Sequence, residues 1–442
     1  MQEWLSMTAA DLGRGIGAGE IDPVALTDTF LQAIAGSDVS DRIYARLTPM
    51  RARAEAAAAA ERARLGVRRS PLDGVPISWK DLFDSAGTAT EAGTRLLEDR
   101  VPQSDALVLA RATAAGMVCL GKTHLTELAF SGLGVNPMTA TPPNIHDPEN
   151  APGGSSSGAA ASTAHGLAAA GIGSDTGGSV RIPAVWNDLV GFKTAHGALP
   201  LDGVVPLCAR FDTVGPLCRT VEDANLLNAI MAETAPADLR GASLKGKRLA
   251  VLKTLAFDDI EGAPKAGFDS AVERLQAAGA QVDRIELPYI TEANGLSPTL
   301  YPAEAYGTWK DMIEANPEAM FANVRERFRG GRDVGAADFV AAWQTLDRFR
   351  EQYRQDTAIY DAVLVPTCPI MPPNVARLET DVEYFVRANL LTLRNTRIGN
   401  LMGLAVVTVP TGLPTTGISL MVQPGREGQL LRLSQAAEHA LS

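Results

Sequence analysis

The chain is poor in the residues that build metal and redox centres. Its 442 residues include four cysteines (Cys119, Cys208, Cys218 and Cys368) without CxxC spacing. Its five histidines (His124, His146, His165, His196 and His439) form no HxxxH or HExxH pair. These absences argue against a patterned zinc or dithiol site, and scattered thiols fit a reducing cytoplasm. No uncharged apolar run reaches the ~20 residues that span a bilayer. The opening MQEWLSMTAADLG carries acidic residues and no apolar signal-peptide core. Long basic runs are also missing and the net charge is −11, which argues against nucleic acid as a direct partner. The densest positive patch (Arg62, Arg64, Arg68 and Arg69) reads as a solvated helix end. A cytoplasmic protein acting on small molecules, bound to neither membrane nor nucleic acid, is expected.

What is present is a large apolar fraction, 46%, enough for a sizeable core. It is arranged as strands separated by helices. Residues 1–66 read as a helical outer layer. One of its helices starts at Asp22-Pro23, an N-cap followed by a first-turn proline, and another covers 48–65 and stops at Gly66. Strand 75–79 ends at Lys80, and helix 104–115, strand 117–121 and helix 123–130 follow. A Pro/Asn-rich loop occupies 136–152, and helix 180–185, strand 189–193 and helix 221–232 come after it. Alternation resumes with strand 248–252, helix 264–278 and strand 281–287. Residues 303–357 read as mainly helical, with the charged run 324–332 as a solvated face. Strand 362–366, helix 384–402, strands 405–410 and 418–422 and helix 428–440 close the chain. Without a repeat or domain break, a single α/β domain over 1–442 is expected.

Residues 153–179, GGSSSGAAASTAHGLAAAGIGSDTGGS, hold eight glycines and six serines. Such a composition suits a flexible linker, but the apolar run 167–172 and the lone Asp175 do not. Two Ser-Gly clusters joined by a helix and a strand instead describe two loops brought together in space, with glycine where backbone approaches a ligand. Two pattern matches here are misleading. Gly116, Gly121, Lys122 and Thr123 satisfy GxxxxGK[ST], but the intervening Met-Val-Cys-Leu is apolar and a helix precedes it. A phosphate cradle needs a glycine-rich loop after a strand, so Lys122 reads as the polar end of a strand rather than a nucleotide ligand. Gly154, Ser156 and Gly158 satisfy GxSxG, but that elbow needs a strand just before it, which Pro148 and Pro152 forbid.

The second cluster, SDTGGS over 174–179, presents a serine after two glycines. A serine so placed can expose its hydroxyl while successive N–H groups point at one spot. That is how an oxyanion hole is built, each donor contributing ~2.7–4 kcal/mol in acyl transfer. The serine needs a base, and with unpatterned histidines lysine is the alternative. An amine of pKa ~10.4 must fall to ~7–8 to serve at neutral pH, and burial in an apolar setting does this. Lys80 stands at a strand end, where catalytic groups collect in α/β folds. Taken alone, it reads as a surface lysine paired with Asp81 or Asp84.

Five segments resemble the amidase signature family, in the family's order. They are PLDGVPISWKDLFDSAGTATEAG (71–93), GMVCLGKTHLTELA (116–129), PGGSSSGAAA (152–161), GSDTGGSVRIPA (173–184) and DTVGPLCRTVEDA (212–224). The separations of 75 residues from Lys80 to Ser155 and 24 from Ser155 to Ser179 match that family's triad. The resemblance implies a central mixed sheet covered by helices on both sides, with a signature core over 67–235 and a variable part over 236–442 completing it. It implies an amidohydrolase without cofactor or metal that cleaves a carboxamide with water. Ser179 would be the nucleophile and Lys80 the neutral base. Ser155, after a cis peptide to Gly154, would relay protons and touch substrate. Backbone N–H groups of Thr176, Gly177, Gly178 and Ser179 would form the oxyanion hole. The backbone at Ala129 would contact substrate, and Asp175 and Arg181 would order the loop.

The chain departs from the family's pattern at Ser157 (usually Gly), at Ala159 (usually Ser) and at Lys193-Thr194-Ala195 (usually KPT). None of these is a triad position. The same signature serves glutaminase subunits of tRNA-dependent amidotransferases and ester or carbamate hydrolases, and a homodimer is compatible with each. No motif over 290–400 reads out the substrate, and the aromatics there (Tyr301, Tyr306, Trp309, Phe321 and Trp343) are expected to pack in the core.

Overall fold

The computed structural model describes residues 2–442. Eleven strands form one mixed sheet. They are β1 (Tyr44–Leu47), β2 (Pro76–Lys80), β3 (Val118–Thr123), β4 (Gly171–Ser174), β5 (Val190–Lys193), β6 (Val214–Cys218), β7 (Arg248–Leu252), β8 (Gln281–Ile285), β9 (Ala362–Pro366), β10 (Ala405–Pro410) and β11 (Gly417–Val422). Their order across the sheet is β1-β3-β2-β4-β6-β5-β10-β11-β9-β7-β8. β2 runs parallel to both β3 and β4, and β7 runs parallel to β8 and β9. Antiparallel pairs join these two groups through β6, β5, β10 and β11, and attach β1 at the edge. Every residue of β2, β3 and β4 is buried. Helices therefore cover both faces there, as near-continuous apolar strands require.

The helical N-terminal layer forms as its end signals dictate. Asp22 Oδ1 accepts the Ala25 N–H at 2.9 Å and Pro23 opens helix Pro23–Ala35. Gly66, at φ 71°, closes helix Pro49–Leu65. The layer is not wholly helical, because β1 interrupts it and pairs antiparallel with β3. Residues 123–130 are not a helix either. Thr123 completes β3, and Leu128 and Ala129 have φ of 44° and 60°, leaving one 3-10 turn over Glu127–Ala129. β6 has no strand-like composition, since its centre is Gly215-Pro216. Tertiary pairing with β4 and β5 overrides that local preference.

Candidate active site

β2 and β4 are parallel neighbours, so their carboxyl ends lie side by side. The first ends in Lys80 and the second in Ser174. Lys80 is fully buried, and its Nζ donates to Ser155 Oγ and to Ser174 Oγ, each at 2.8 Å. The expected surface pairings do not occur. Asp81 instead holds Lys122 and Arg46, and Asp84 holds Arg100. Without an adjacent carboxylate, burial dominates and lowers the Lys80 amine to about 7, against the weaker pull of Asp175 and Asp212. Lys122 is buried too, with its Nζ on Asp81 and Thr90, so it presents nothing to a phosphate.

The peptide from Gly154 to Ser155 is cis. Only glycine fits before it, because a Cβ at Gly154 would lie 2.6 Å from Gly134 N and 2.8 Å from Thr126 Oγ1. Ser155 is buried just ahead of helix Ser157–Ala164. The Ser156 N–H donates to the Ser179 carbonyl at 3.2 Å, which ties the two serine loops backbone to backbone. Ser156 Oγ is buried, donating to the Ser174 carbonyl and accepting from the Ser174 N–H. At the altered positions, Ser157 Oγ is buried without a partner and Ala159 packs among Ala160, Val180 and Ala184.

Loop 175–180 is folded around the Asp175 carboxylate. It accepts from the N–H groups of Gly178 (2.9 Å) and Val180 (3.1 Å), from Arg181 (2.9 and 3.0 Å) and from Asn400 Nδ2 (2.8 Å). Burial alone would raise this carboxyl, but the Arg181 charge and hydrogen bonds hold it well below the usual range. Arg181 also donates to the Thr396 carbonyl and to Asn400 Oδ1. Because the Gly178 N–H is committed to Asp175, it is not free for an oxyanion. Among the described residues, the N–H groups of Thr176, Gly177 and Ser179 make no backbone or side-chain hydrogen bond. Removing one partner of a buried pair leaves the other uncompensated. Asp175→Asn is therefore expected to lose about 3–5 kcal/mol of stability, read as a lower urea midpoint.

The amidase family model matches residues 25–431. This chain belongs to the amidase family. The amidase is 35% identical over 432 residues to the 2-amino-5-chloromuconic acid deaminase of Comamonas testosteroni, covering 95% of this chain and 93% of that one. It is 29% identical over 473 residues to a glutamyl-tRNA(Gln) amidotransferase subunit of Carboxydothermus hydrogenoformans, with coverage of 98% and 96%. The native peptide amidase of Stenotrophomonas maltophilia superposes with a TM-score of 0.81 at 27% identity, with coverage of 98% and 97%. The family's reaction is hydrolysis of amide C–N bonds. No helix among the described residues is long and apolar enough to cross a membrane.

In the amidase, Ser179 lines a narrow pocket with Ala129, Thr176 and Gly177. Ala129 reaches it from the left-handed turn, which costs of order 1–3 kcal/mol per such residue and persists only where surrounding structure enforces it. The turn is tied by the Leu128 N–H to the Ala92 carbonyl and the Ala129 N–H to the Thr126 carbonyl, and Glu127 beside it accepts from Thr94 Oγ1 at 2.8 Å and from the Phe321 N–H at 2.9 Å. Burial raises Glu127 to about 7. Several site residues carry little mark in the sequence. Ser174 opens the SDTGGS cluster, and its place at the end of β4 is the signal that could have found it. Asp212, which accepts from Thr176 Oγ1 at 2.5 Å, opens the segment DTVGPLCRTVEDA. Thr396 and Asn400 come from helix Val382–Leu401, where nothing local marks them; Thr396 Oγ1 donates to the Gly177 carbonyl at 2.7 Å. Of the aromatics assigned to the core, Tyr301 and Trp309 are buried within it, Tyr306, Phe321 and Trp343 pack against it, and Tyr301 also lines the pocket.

Proposed function

We propose that the chain hydrolyses a carboxamide through an acyl-enzyme on Ser179, with Ser155 as proton relay and Lys80 as general base. The observation that carries this reading is the sealed Lys80 amine, depressed to about 7 and 2.8 Å from Ser155 Oγ. A neutral amine has a lone pair that accepts the Ser155 proton, while Ser155 Oγ takes the proton of Ser179. Ser179 Oγ then attacks the carbonyl carbon and the C=O pair moves to oxygen. The unengaged N–H groups of Thr176, Gly177 and Ser179 receive that charge, each contributing ~2.7–4 kcal/mol. Collapse breaks the C–N bond, and the leaving nitrogen takes the proton back from Lys80 through Ser155. Water then attacks the acyl carbon and gives its proton through Ser155 to Lys80; collapse breaks the C–O bond to Ser179, which takes that proton back, and the acid is released. Ser174 holds the Lys80 amine from its other side.

The test is the pH profile of kcat/KM for amide hydrolysis by the purified chain alone. Lys80 accepts a proton only when neutral, and its lowered pKa makes it neutral above about 7. Activity is expected to fall roughly tenfold per pH unit below that value and to level off above it. A flat profile between pH 5 and 8 contradicts the reading. Failure to turn over any amide without a second protein favours a partner-dependent glutaminase, as the names of the amidotransferase relatives suggest.

A further inference from the structure

Two arginines at the Ser179 pocket have no neutralising partner among the described residues. Arg397, from helix Val382–Leu401, is 8% exposed. Arg327, from helix Ala322–Arg329, has its Nε buried without a partner. Among the described residues, neither guanidinium makes a hydrogen bond or an ion pair. The Tyr301 hydroxyl is likewise buried and unpartnered. All three line both the slot at Ser179 and the chamber that continues it. Arg397 lies against the nucleophile loop, because a Cβ built on Gly177 would come within 3.7 Å of its Cγ and 4.0 Å of its Nε. Its Cζ is 5.9 Å from the Tyr301 ring centre, and the Arg327 Cζ is 4.5 Å from that of Phe130.

Other arginines in this chain show how uncommon that arrangement is. Arg181 is buried with Asp175, Thr396 and Asn400 around it. Arg219 donates to five backbone carbonyls. On the same helix as Arg327, Arg325 and Arg329 both pair with glutamates. A charge held in a largely enclosed pocket without a partner is disfavoured; Arg327 is half-buried with its Nε sealed off, and burial together with the Arg397 charge pulls it down to about 9. A guanidinium stays protonated in proteins, and among the described residues neither of these has an anion.

We propose that Arg327, Arg397 and Tyr301 form a carboxylate-binding subsite, so that the substrates are monoamides of short dicarboxylic acids. The inference rests on the Ser179 reading above and adds the substrate class to it. The guanidinium fork matches a carboxylate, which accepts two hydrogen bonds from it. The slot at Ser179 has about 20 Å³ free, close to the space of one water, before the chamber of about 180 Å³. That geometry suits a slender acyl chain with its charge a few atoms from the reacting carbonyl. Hydrolysis then yields a dicarboxylate and ammonia or an amine.

The test compares ω-monoamides of three- to six-carbon diacids with the corresponding neutral diamides, in the wild type, Arg397→Met, Arg397→Lys and Arg327→Met. In the wild type, kcat/KM for the best monoamide is expected to exceed that for its diamide by roughly 10–100-fold. Each Met variant is expected to collapse that ratio mainly through KM, and Arg397→Lys to restore part of it. The ratio within one variant cancels any general loss of folded enzyme. No preference in the wild type, or a ratio unchanged in both Met variants, overturns the proposal. So does an equal loss of kcat on both substrates, which would place Arg397 at the reacting centre. Calorimetric titration with the free dicarboxylates separates this idea from the hydrolytic one. Arg-dependent binding without turnover of any amide, with or without a second protein, supports the subsite and sinks the Ser179 reading. Turnover of neutral amides without dicarboxylate binding does the reverse.

Discussion

Ser179→Ala is expected to lower kcat for amide hydrolysis by roughly 10⁴–10⁶-fold, the loss seen when a serine nucleophile is removed from a preorganised site. What remains comes from substrate binding and the oxyanion donors, which act without the nucleophile. The fold is expected to tolerate the change. Ser179 Oγ makes no hydrogen bond among the described residues, and the loop is held by Asp175, Arg181 and Asn400 instead. The thermal midpoint is therefore expected to stay within about a degree or two of the wild type, since the change removes no cavity-filling or paired group. Ser156→Ala is the contrasting variant. Its hydroxyl bonds the Ser174 backbone and not the pocket, so turnover is expected to persist. Loss of activity in Ser156→Ala with retention in Ser179→Ala would instead support the GxSxG elbow.

Lys80→Met is expected to be almost as damaging to turnover, by roughly 10³–10⁵-fold, and to leave no acid limb near pH 7 in the residual rate. Positioned general bases contribute ~10²–10⁴-fold by themselves, and here the relay Ser155 also loses its acceptor. The same variant is expected to be at least as stable as the wild type at pH 7. Lys80 is lowered from its ordinary 10.5 to about 7 by burial. The folded state thus releases a proton that the unfolded chain keeps, a penalty of order a few kcal/mol at neutral pH. Two lost hydrogen bonds, to Ser155 and Ser174, offset it by ~1 kcal/mol each. The sign with pH follows. The penalty is full below about 7 and vanishes as pH approaches 10.5, so any gain of Lys80→Met over the wild type is expected to shrink over that interval. Chemical denaturation at pH 7 and pH 10 measures it.

Much of the candidate site was legible because its residues are local in sequence. Lys80 is announced by an apolar strand that ends in a lysine, and Ser155 and Ser179 by two glycine-serine clusters. Glycine density there reflects close backbone approach, as at Gly154. Other features were hidden for physical reasons. Lys80 looks like a surface cation beside Asp81 and Asp84 until β3 brings Lys122 to Asp81. Gly178 looks like an oxyanion donor until its N–H is seen to serve Asp175. The run 324–332 looks like a solvated face, and Arg325 and Arg329 do meet glutamates at the surface, but Arg327 turns inward at the same helix's 3.6-residue period. Arg397 and Thr396 come from a helix more than two hundred residues after Ser179, and no local pattern marks side chains that meet only in the fold. β1 and β6 are short strands whose pairing is set by neighbours rather than by their own composition.

The central claim is that the acyl group passes through Ser179. The direct measurement is mass spectrometry of peptides from enzyme quenched in acid during turnover of an activated amide. The account predicts an acyl adduct on the peptide that contains Ser179, at a level that rises with substrate, and no adduct in Ser179→Ala. An adduct on Ser155, Ser156 or any other residue of the active wild-type enzyme would contradict it.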